Sequence, residues 1–358
     1  MDKKYNILVI NLGSTSTKVA FFENDVCISD KVVRHNKEQL DSFDKLVDQK
    51  PLREQCVYDF MKEIGRSFKD VDAVVSRGGL LHPLESGTYE INDRMYEDLK
   101  GHVAQLHTSS LGGMTAYEVG RKENIAAFVV DPVVVDEMDT RARLTGMPGI
   151  ERKSAFHALN QKAVARKYAK DIGEPYENCR LIVAHMGGGI SIGAHRYGRV
   201  IDVNDALIGE GPFSPERTGT LPLIGLIKMC FSGNYTEKEV VELVTTKGGM
   251  MAYLGTNDLK VCEKMIMEGD EFAALVLETM AYQISKEIAA LTAALEGRVD
   301  AILLTGGLAY SNRLTGEIKH RLDMIAPVLT YPGEMEMQAL AEGALRVLTG
   351  EELIKVYD

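Results

Sequence analysis

The sequence predicts two α/β lobes related by an internal duplication, on three observations: its length, a repeated strand-turn-strand unit, and a second repeat that follows the first in the same order. At 358 residues the chain is long enough for about two domains of ~150, each with its own core. The first repeat aligns Ile7 to Gly13, then hydroxyl residues and Val19 to Phe22, with Leu181 to Gly187, then Gly, Ser and Gly193-Ala194, without a gap. The second aligns Val71 to Gly79 with Val299 to Gly307. Both copies open on Val-Asp-Ala, continue as an apolar strand and leave on Gly-Gly.

Taken in chain order, Ile7 to Ile10 and Val19 to Phe22 are short apolar runs on either side of Gly13, as expected of two strands joined by a turn. Phe128 to Val135 reads as a buried run interrupted by Asp131. Helical periodicity is clearest over Ala155 to Lys170, Glu271 to Leu295 and Met337 to Leu348. The turn-rich Gly146-Met-Pro-Gly149 suits a boundary, so residues 1–150 are expected to form the first lobe and 151–335 the second. The final helix, 336–358, is expected to fold back onto the first lobe.

Composition narrows the function. Hydrophobic residues make up 45% and charged residues 26%, the mix of an ordinary globular protein. Against 41 Lys and Arg stand 52 Asp and Glu, a net charge of −11, which is a poor match to nucleic acid or an anionic membrane. No run approaches the ~20 apolar residues of a membrane span, and no segment reads as a signal peptide. Cys27, Cys56, Cys179, Cys230 and Cys262 are odd in number and never arranged as CxxC, so reduced thiols in a cytoplasmic protein are expected.

Asn11-Leu-Gly-Ser-Thr-Ser-Thr-Lys18 spans the first turn, where Gly13 permits an unusual backbone and the hydroxyls of Ser14 and Ser16 can converge with backbone amides on phosphate oxygens. Lys18 adds a point charge. Neither GxxxxGK[ST] nor GxGxxG occurs here, so the usual P-loop and dinucleotide readings fail. Its counterpart in the second repeat is His185-Met-Gly-Gly-Gly-Ile-Ser191, with Gly187, Gly188 and Gly189 at the turn. Two such loops are what a nucleotide site in a duplicated protein requires.

These loops, the Gly-Gly strand exits, Lys153-Ser-Ala-Phe-His157 and Gly209-Glu-Gly-Pro-Phe-Ser-Pro-Glu-Arg-Thr-Gly-Thr-Leu-Pro222 resemble the acetate kinase family, most closely its butyrate kinase branch, over essentially the whole chain. The resemblance implies the duplicated two-lobe, actin-like ATPase fold shared with sugar kinases and heat-shock chaperones, with a nucleotide cleft between lobes. It also implies reversible phosphate transfer between ATP and a short-chain carboxylate, giving an acyl phosphate and ADP with Mg²⁺, and a homo-oligomer, dimeric or higher.

In-line phosphoryl transfer needs charge neutralisation more than covalent help. Arg217, Arg77 and His157 are the candidates to supply it, with Arg217 resembling the family's arginine at the transferring phosphoryl group. Arg77 ends a buried strand, where a charge is costly without a partner, and the acyl carboxylate would provide one. His157 is expected in the first helical turn after a Ser154 cap, where the helix dipole disfavours a cation and a bound anion would remove the conflict; a neutral histidine packed on Phe156 is the plain alternative. Asp131 resembles the family's aspartate near the attacking carboxylate and metal. Asn11 and Glu336 are expected to hold magnesium through water, with Glu334 a rival. Asn257-Asp258 matches the adenosine-contacting stretch, and Gly306-Gly307 the nucleotide-side turn. Arg77 directly before Gly78, and Ala158-Leu-Asn-Gln161 after the histidine, depart from the acetate kinase pattern and point to a longer acid. A sugar or polyol kinase with Asp131 as base leaves two arginines unexplained, and an actin-like or chaperone-like switch lacks a spare segment for a peptide-binding domain.

Overall fold

Apolar runs that can bury both faces become the central strands. The first sheet contains β1 (Asn6–Leu12), β2 (Ser16–Glu23), β3 (Val26–Arg34), β4 (Ala73–Ser76), β5 (Thr88–Glu90) and β6 (Ala126–Val130), in the order β3-β2-β1-β4-β6-β5, with β1 and β4 at its centre. All four residues of β4 are buried, whereas β3 alternates exposed and half-buried positions and carries Asp30 and Lys31 at the sheet edge. The second sheet contains β7 (Arg180–Met186), β8 (Ile190–Arg196), β9 (Arg199–Val203), β10 (Ala301–Gly306) and β11 (Val328–Pro332), ordered β11-β10-β7-β8-β9. This is a computed structural model, and it describes residues 3–102 and 108–358.

The duplication extends to the register. Parallel pairing begins with Ile7 opposite Ala73 in one sheet and Leu181 opposite Ala301 in the other, the positions that the sequence repeats equate. Each hairpin has one register shift in its outer pairing, between Phe21 and Phe22 and between Ala194 and His195. Gly78 and Gly306 open the two Gly-Gly exits at φ 70° and 88°, in the left-handed region that favours glycine. The ungapped alignment of the hairpins slips by one residue beyond the turn. Leu12 pairs with Thr17 whereas Met186 pairs with Ile190, so the first turn is one residue longer and Lys18 corresponds in space to Ser191. Three consecutive glycines close a shorter turn than a loop of hydroxyl residues.

The chain divides into two compact units, Met1–Val135 with Met335–Asp358, and Asp136–Glu334. Residues 136–150, expected with the first lobe, pack with the second unit: the Asp139 amide donates to the Ile201 carbonyl, the Arg152 amide to Arg143, and Arg152 reaches Asp202 and Glu210. In the first unit the C-terminal helix Glu336–Thr349 lies on β1, β4 and β6. Its Gly343 packs so closely that an added Cβ would sit 2.6 Å from Val130 Cγ1.

In the second unit helix Glu271–Leu291 buries Ala273, Val276, Leu277, Met280, Ala281, Ile284 and Ile288, one stripe at helical spacing, against β7, β8 and their neighbours. It starts at an Asp270 cap and stops four residues before Leu295, where turns take over. Helix Ala158–Ile172 ends on Gly173 in the left-handed conformation but begins three residues later than expected, because the Ala155 carbonyl is committed to the Ala206 amide. His157 is therefore the residue before the helix rather than a member of its first turn. Among the described residues no helix is long and apolar enough to cross a membrane.

Candidate active site

The first sheet's parallel strands β1, β4 and β6 deliver Asn11, Arg77 and Asp131 to their carboxyl ends, the edge at which open α/β sheets bind ligands. Asn11 is buried in β1, opposite Lys18 across the hairpin, which puts both side chains on one face. The Asn11 Nδ2 donates to Glu336 Oε2 at 2.7 Å, and Arg77 pairs with Glu336 Oε1 at 2.8 Å. Glu336, the buried first residue of the C-terminal helix, is thus a partner already present for the charge at the end of β4. Arginine presents five donors, so this ion pair still leaves several for a ligand.

Asp131 is 1% exposed and adopts φ 38°, rare for a residue other than glycine. Its Oδ1 accepts from Ser86 Oγ at 2.6 Å and from the Gly87 amide at 2.9 Å. A buried carboxylate is tolerated here because these donors satisfy it. Ser14 is exposed and Ser16 half-buried on the turn, with both of their carbonyls turned to Arg53.

The oxygen donors of Asn11 and Glu336 are the hard type that magnesium takes. Both Glu336 carboxylate oxygens already have protein partners, so the pair fits support through water rather than a direct cage. Among the described residues no group of three or more His, Cys, Asp or Glu could hold a metal.

In the second unit β7, β10 and β11 carry His185, Gly306-Gly307 and Glu334 at or just beyond their carboxyl ends. His157 stacks on His185 with ring centroids 3.8 Å apart and planes 8° from parallel. The His157 Nδ1 meets Ser191 Oγ at 2.9 Å, and Asn160 Nδ2 donates to His185 Nδ1 at 2.8 Å. With the Asn160 amide assigned that way round, the His185 proton sits on Nε2, which faces Glu334 Oε1 at 3.9 Å. His185 is 1% exposed, so its ring is a support within this stack.

Arg217 crosses the glycine turn. A Cβ on Gly189 would lie 1.8 Å from Arg217 Nη1, which explains why this position carries no side chain. Burial lowers the Arg217 pKa, partly offset by the charges of Glu216 and Asp205, and its buried Nε finds no hydrogen-bond partner among the described residues. The Ser214 hydroxyl donates to the Gly188 carbonyl at 2.6 Å and accepts from the Arg217 amide at 3.1 Å, tying that segment to the turn. Beside it lies a cavity of about 530 Å³ whose lining includes Gly187, Gly188, Asn257, Asp258 and Gly307. Glu216, Glu263 and Glu334 also line it, with Lys260 a cation there, and Asn257 Nδ2 donates to Glu216 Oε1 at 2.6 Å. Gly189, Gly306 and His185 lie outside that lining; Gly306 instead exchanges backbone hydrogen bonds with Gly333.

Sequence reasoning missed Arg53, Ser191, Glu216 and the amide of Asn160. Ser191, Glu216 and Asn160 lie within the segments singled out above, whereas Arg53 lies outside them and only falls in step with Val57, Phe60 and Met61 on the buried stripe of helix Lys50–Glu63.

A profile of the acetokinase family matches residues 141–323, just over half of the chain. The chain belongs to the acetokinase family. It is accordingly a phosphotransferase that moves a phosphoryl group from ATP to a carboxylate, giving an acyl phosphate. Solved structures share the acetokinase fold at low identity. The acetate kinase of Porphyromonas gingivalis is 19% identical, with 95% of this chain and 99% of that chain covered at a TM-score of 0.79. A propionate kinase from Francisella tularensis subsp. tularensis SCHU S4 is also 19% identical, with coverage of 95% and 98% and a TM-score of 0.73. The acetate kinase of Entamoeba histolytica is 16% identical, with coverage of 94% and 98% and a TM-score of 0.75. The two-sheet α/β architecture, which the internal repeats predicted as two duplicated lobes and the family resemblance as an actin-like fold, is the one these proteins share.

Proposed function

We propose that this member of the acetokinase family acts reversibly on a short-chain acid longer than acetate: butyrate or a branched four-carbon acid. The supporting observation is apolar surface beside the expected carboxylate site. The Leu84 amide donates to the Val134 carbonyl, so segment 80–84 runs alongside 133–135, and these segments follow Arg77 and Asp131 in the chain. Leu80, Val133 and Val134 are each only half-buried, leaving apolar surface for an alkyl tail.

In this reading Arg77, oriented by Glu336, binds the acid's carboxylate, and Asp131 fixes the backbone beneath it through Ser86 and Gly87. Arg217 neutralises the transferring phosphoryl group, where a desolvated cation is worth most. His157 donates to the same phosphoryl oxygens, oriented by Ser191. Lys18, Ser14, Ser16 and the amides of the two turns receive phosphates. The carboxylate-lined cavity suits the other end of the nucleotide, since Asp and Glu accept from ribose hydroxyls and repel phosphates. Magnesium, when bound with the nucleotide, supplies charge neutralisation on the phosphates, with Asn11 and Glu336 holding its water.

Charge does not discriminate among these acids, so selection rests on the tail. Two further methylenes at ~0.8 kcal/mol each give ~1.6 kcal/mol, a little over tenfold. Hydroxamate assays at saturating ATP should give butyrate or isobutyrate at least ~tenfold higher kcat/KM than acetate, with propionate between them. Equal values for acetate and butyrate would reject the longer acid while leaving the carboxylate kinase intact.

The expected homo-oligomer has support in helix Leu223–Cys230, none of whose residues is buried although Leu223, Ile224 and Ile227 line it and Phe231, 87% exposed, follows. Sedimentation should find at least a dimer in wild type and a monomer after Ile224→Glu with Phe231→Glu. A monomeric wild type would refute it.

A further inference from the structure

The first hairpin turn rests on a buried cation that the reaction as described does not use. Arg53 is fully buried on helix Lys50–Glu63. Its Nη1 donates to the Ser16 carbonyl at 2.7 Å and to Thr17 Oγ1 at 3.2 Å, and its Nη2 to the Ser14 carbonyl at 3.0 Å and Gln49 Oε1 at 3.1 Å. Every one of these acceptors is neutral. Among the described residues no carboxylate forms an ion pair with Arg53, and its Nε has no hydrogen-bond partner. The nearby His35, which meets Thr17 Oγ1 at 2.9 Å, cannot supply an anion, and burial and Arg53 itself lower its pKa, disfavouring a second positive charge.

Burying a guanidinium without an anion is costly, and arginine does not escape by deprotonating. Something else must balance the charge. The turn shows where that anion would go. In a trans peptide the carbonyl and the next amide point oppositely, so holding the Ser14 carbonyl toward Arg53 turns the Thr15 N–H the other way. Ser14 and Thr15 are both exposed, so their hydroxyls are open to an incoming anion. An anion seated there meets hydroxyl and amide donors directly and the buried charge through one layer of backbone.

We propose that Arg53 is a positioning residue for nucleotide phosphate: from beneath the turn it fixes the Ser14 and Ser16 carbonyls inward and supplies the charge that a phosphate on the outer side neutralises. This rests on reading the Gly13 to Lys18 turn as a phosphate loop.

Titration calorimetry of the full chain with ADP and with adenosine, together with steady-state kinetics, tests it on Arg53→Met and Arg53→Lys. R53M should weaken ADP at least ~tenfold, the size of one lost charge-assisted contact, and leave adenosine within ~twofold. Its KM for ATP should rise more than its kcat falls. R53K, which keeps the charge but not the fork that grips two carbonyls, should recover part of the loss. Equal weakening of ADP and adenosine, or no change in either, would overturn the role. If R53M does not fold, R53K decides: a severalfold higher KM for ATP supports the proposal and an unchanged KM overturns it. A wild-type protein that binds ADP no better than adenosine would instead overturn the phosphate-loop reading beneath it.

Discussion

The two hairpin turns are copies of one another, yet each has settled its electrostatics differently. In the first, hydroxyl residues form the turn and the cation is Arg53, fully buried and bonded to the turn's carbonyls. In the second, three glycines form the turn and Arg217 lies across it, partly exposed. A charge under the backbone acts by shaping the turn and raising its potential. A charge over the turn can touch what binds there. Duplication conserved the strand register and the Gly-Gly exits, which fix the framework, and left the side of the turn that carries the arginine free to diverge.

The harshest test of that difference is Arg217→Ala. Turnover should fall ~10²- to 10³-fold, the usual loss of one preorganised group aimed at developing charge, with ATP affinity changed much less. The Arg53 variants should show the opposite division between binding and turnover. Near-normal turnover in R217A would remove the contrast.

A comparison of the strand exits should give the next largest effect. An added Cβ on Gly306 would meet the Met186 carbonyl oxygen at 2.4 Å, whereas on Gly78 it would meet a Val129 methyl at 2.5 Å. Backbone cannot yield as a side chain can, so Gly306→Ala should cost ~2–4 kcal/mol and Gly78→Ala less, both including the strain of a left-handed alanine. Urea unfolding measures this, and a reversed order would show that the two exits are packed otherwise.

The turns themselves offer the subtlest pair. Gly189→Ala must displace the Arg217 guanidinium, while Gly13→Ala meets Ser16 Oγ at a tolerable 3.1 Å. We expect G189A to lose about tenfold in turnover with an almost unchanged melting temperature, because the far end of an arginine moves cheaply yet its aim is lost. G13A should stay within about twofold. Comparable losses in both would mean that Arg217 is not aimed by its glycine.

Much of this was legible in the chain because it is local. The repeats pointed to a hairpin at each Gly turn and a later apolar strand leaving on Gly-Gly, whereas the parallel pairing of β1 with β4 and of β7 with β10 joins segments far apart in the chain and came with the structure. Arg77 was recognisable as a charge in need of a partner, but not as the partner of Glu336, which comes from the other end of the chain. The start of the helix after His157 was misjudged because the Ala155 carbonyl is spent on Ala206, a bond no helical pattern encodes. Arg53 carried no motif at all.

The duplication, the strands and the Gly-Gly exits could be read from the chain alone, because each follows from periodicity or from repeats a few residues long, and resemblance to a family supplied most of the candidate residues at the strand ends; that Gly78 and Gly306 turn left-handed while Gly13 does not emerged on folding. Which charge answers which was set by folding. Glu336 is satisfied by Asn11 and Arg77, His185 is held by Asn160, and Arg53 lies under a turn remote from it in sequence. Electrostatic and hydrogen-bond partners are chosen by distance in space, and burial, which sets the strength of each pairing, exists only once the chain has folded.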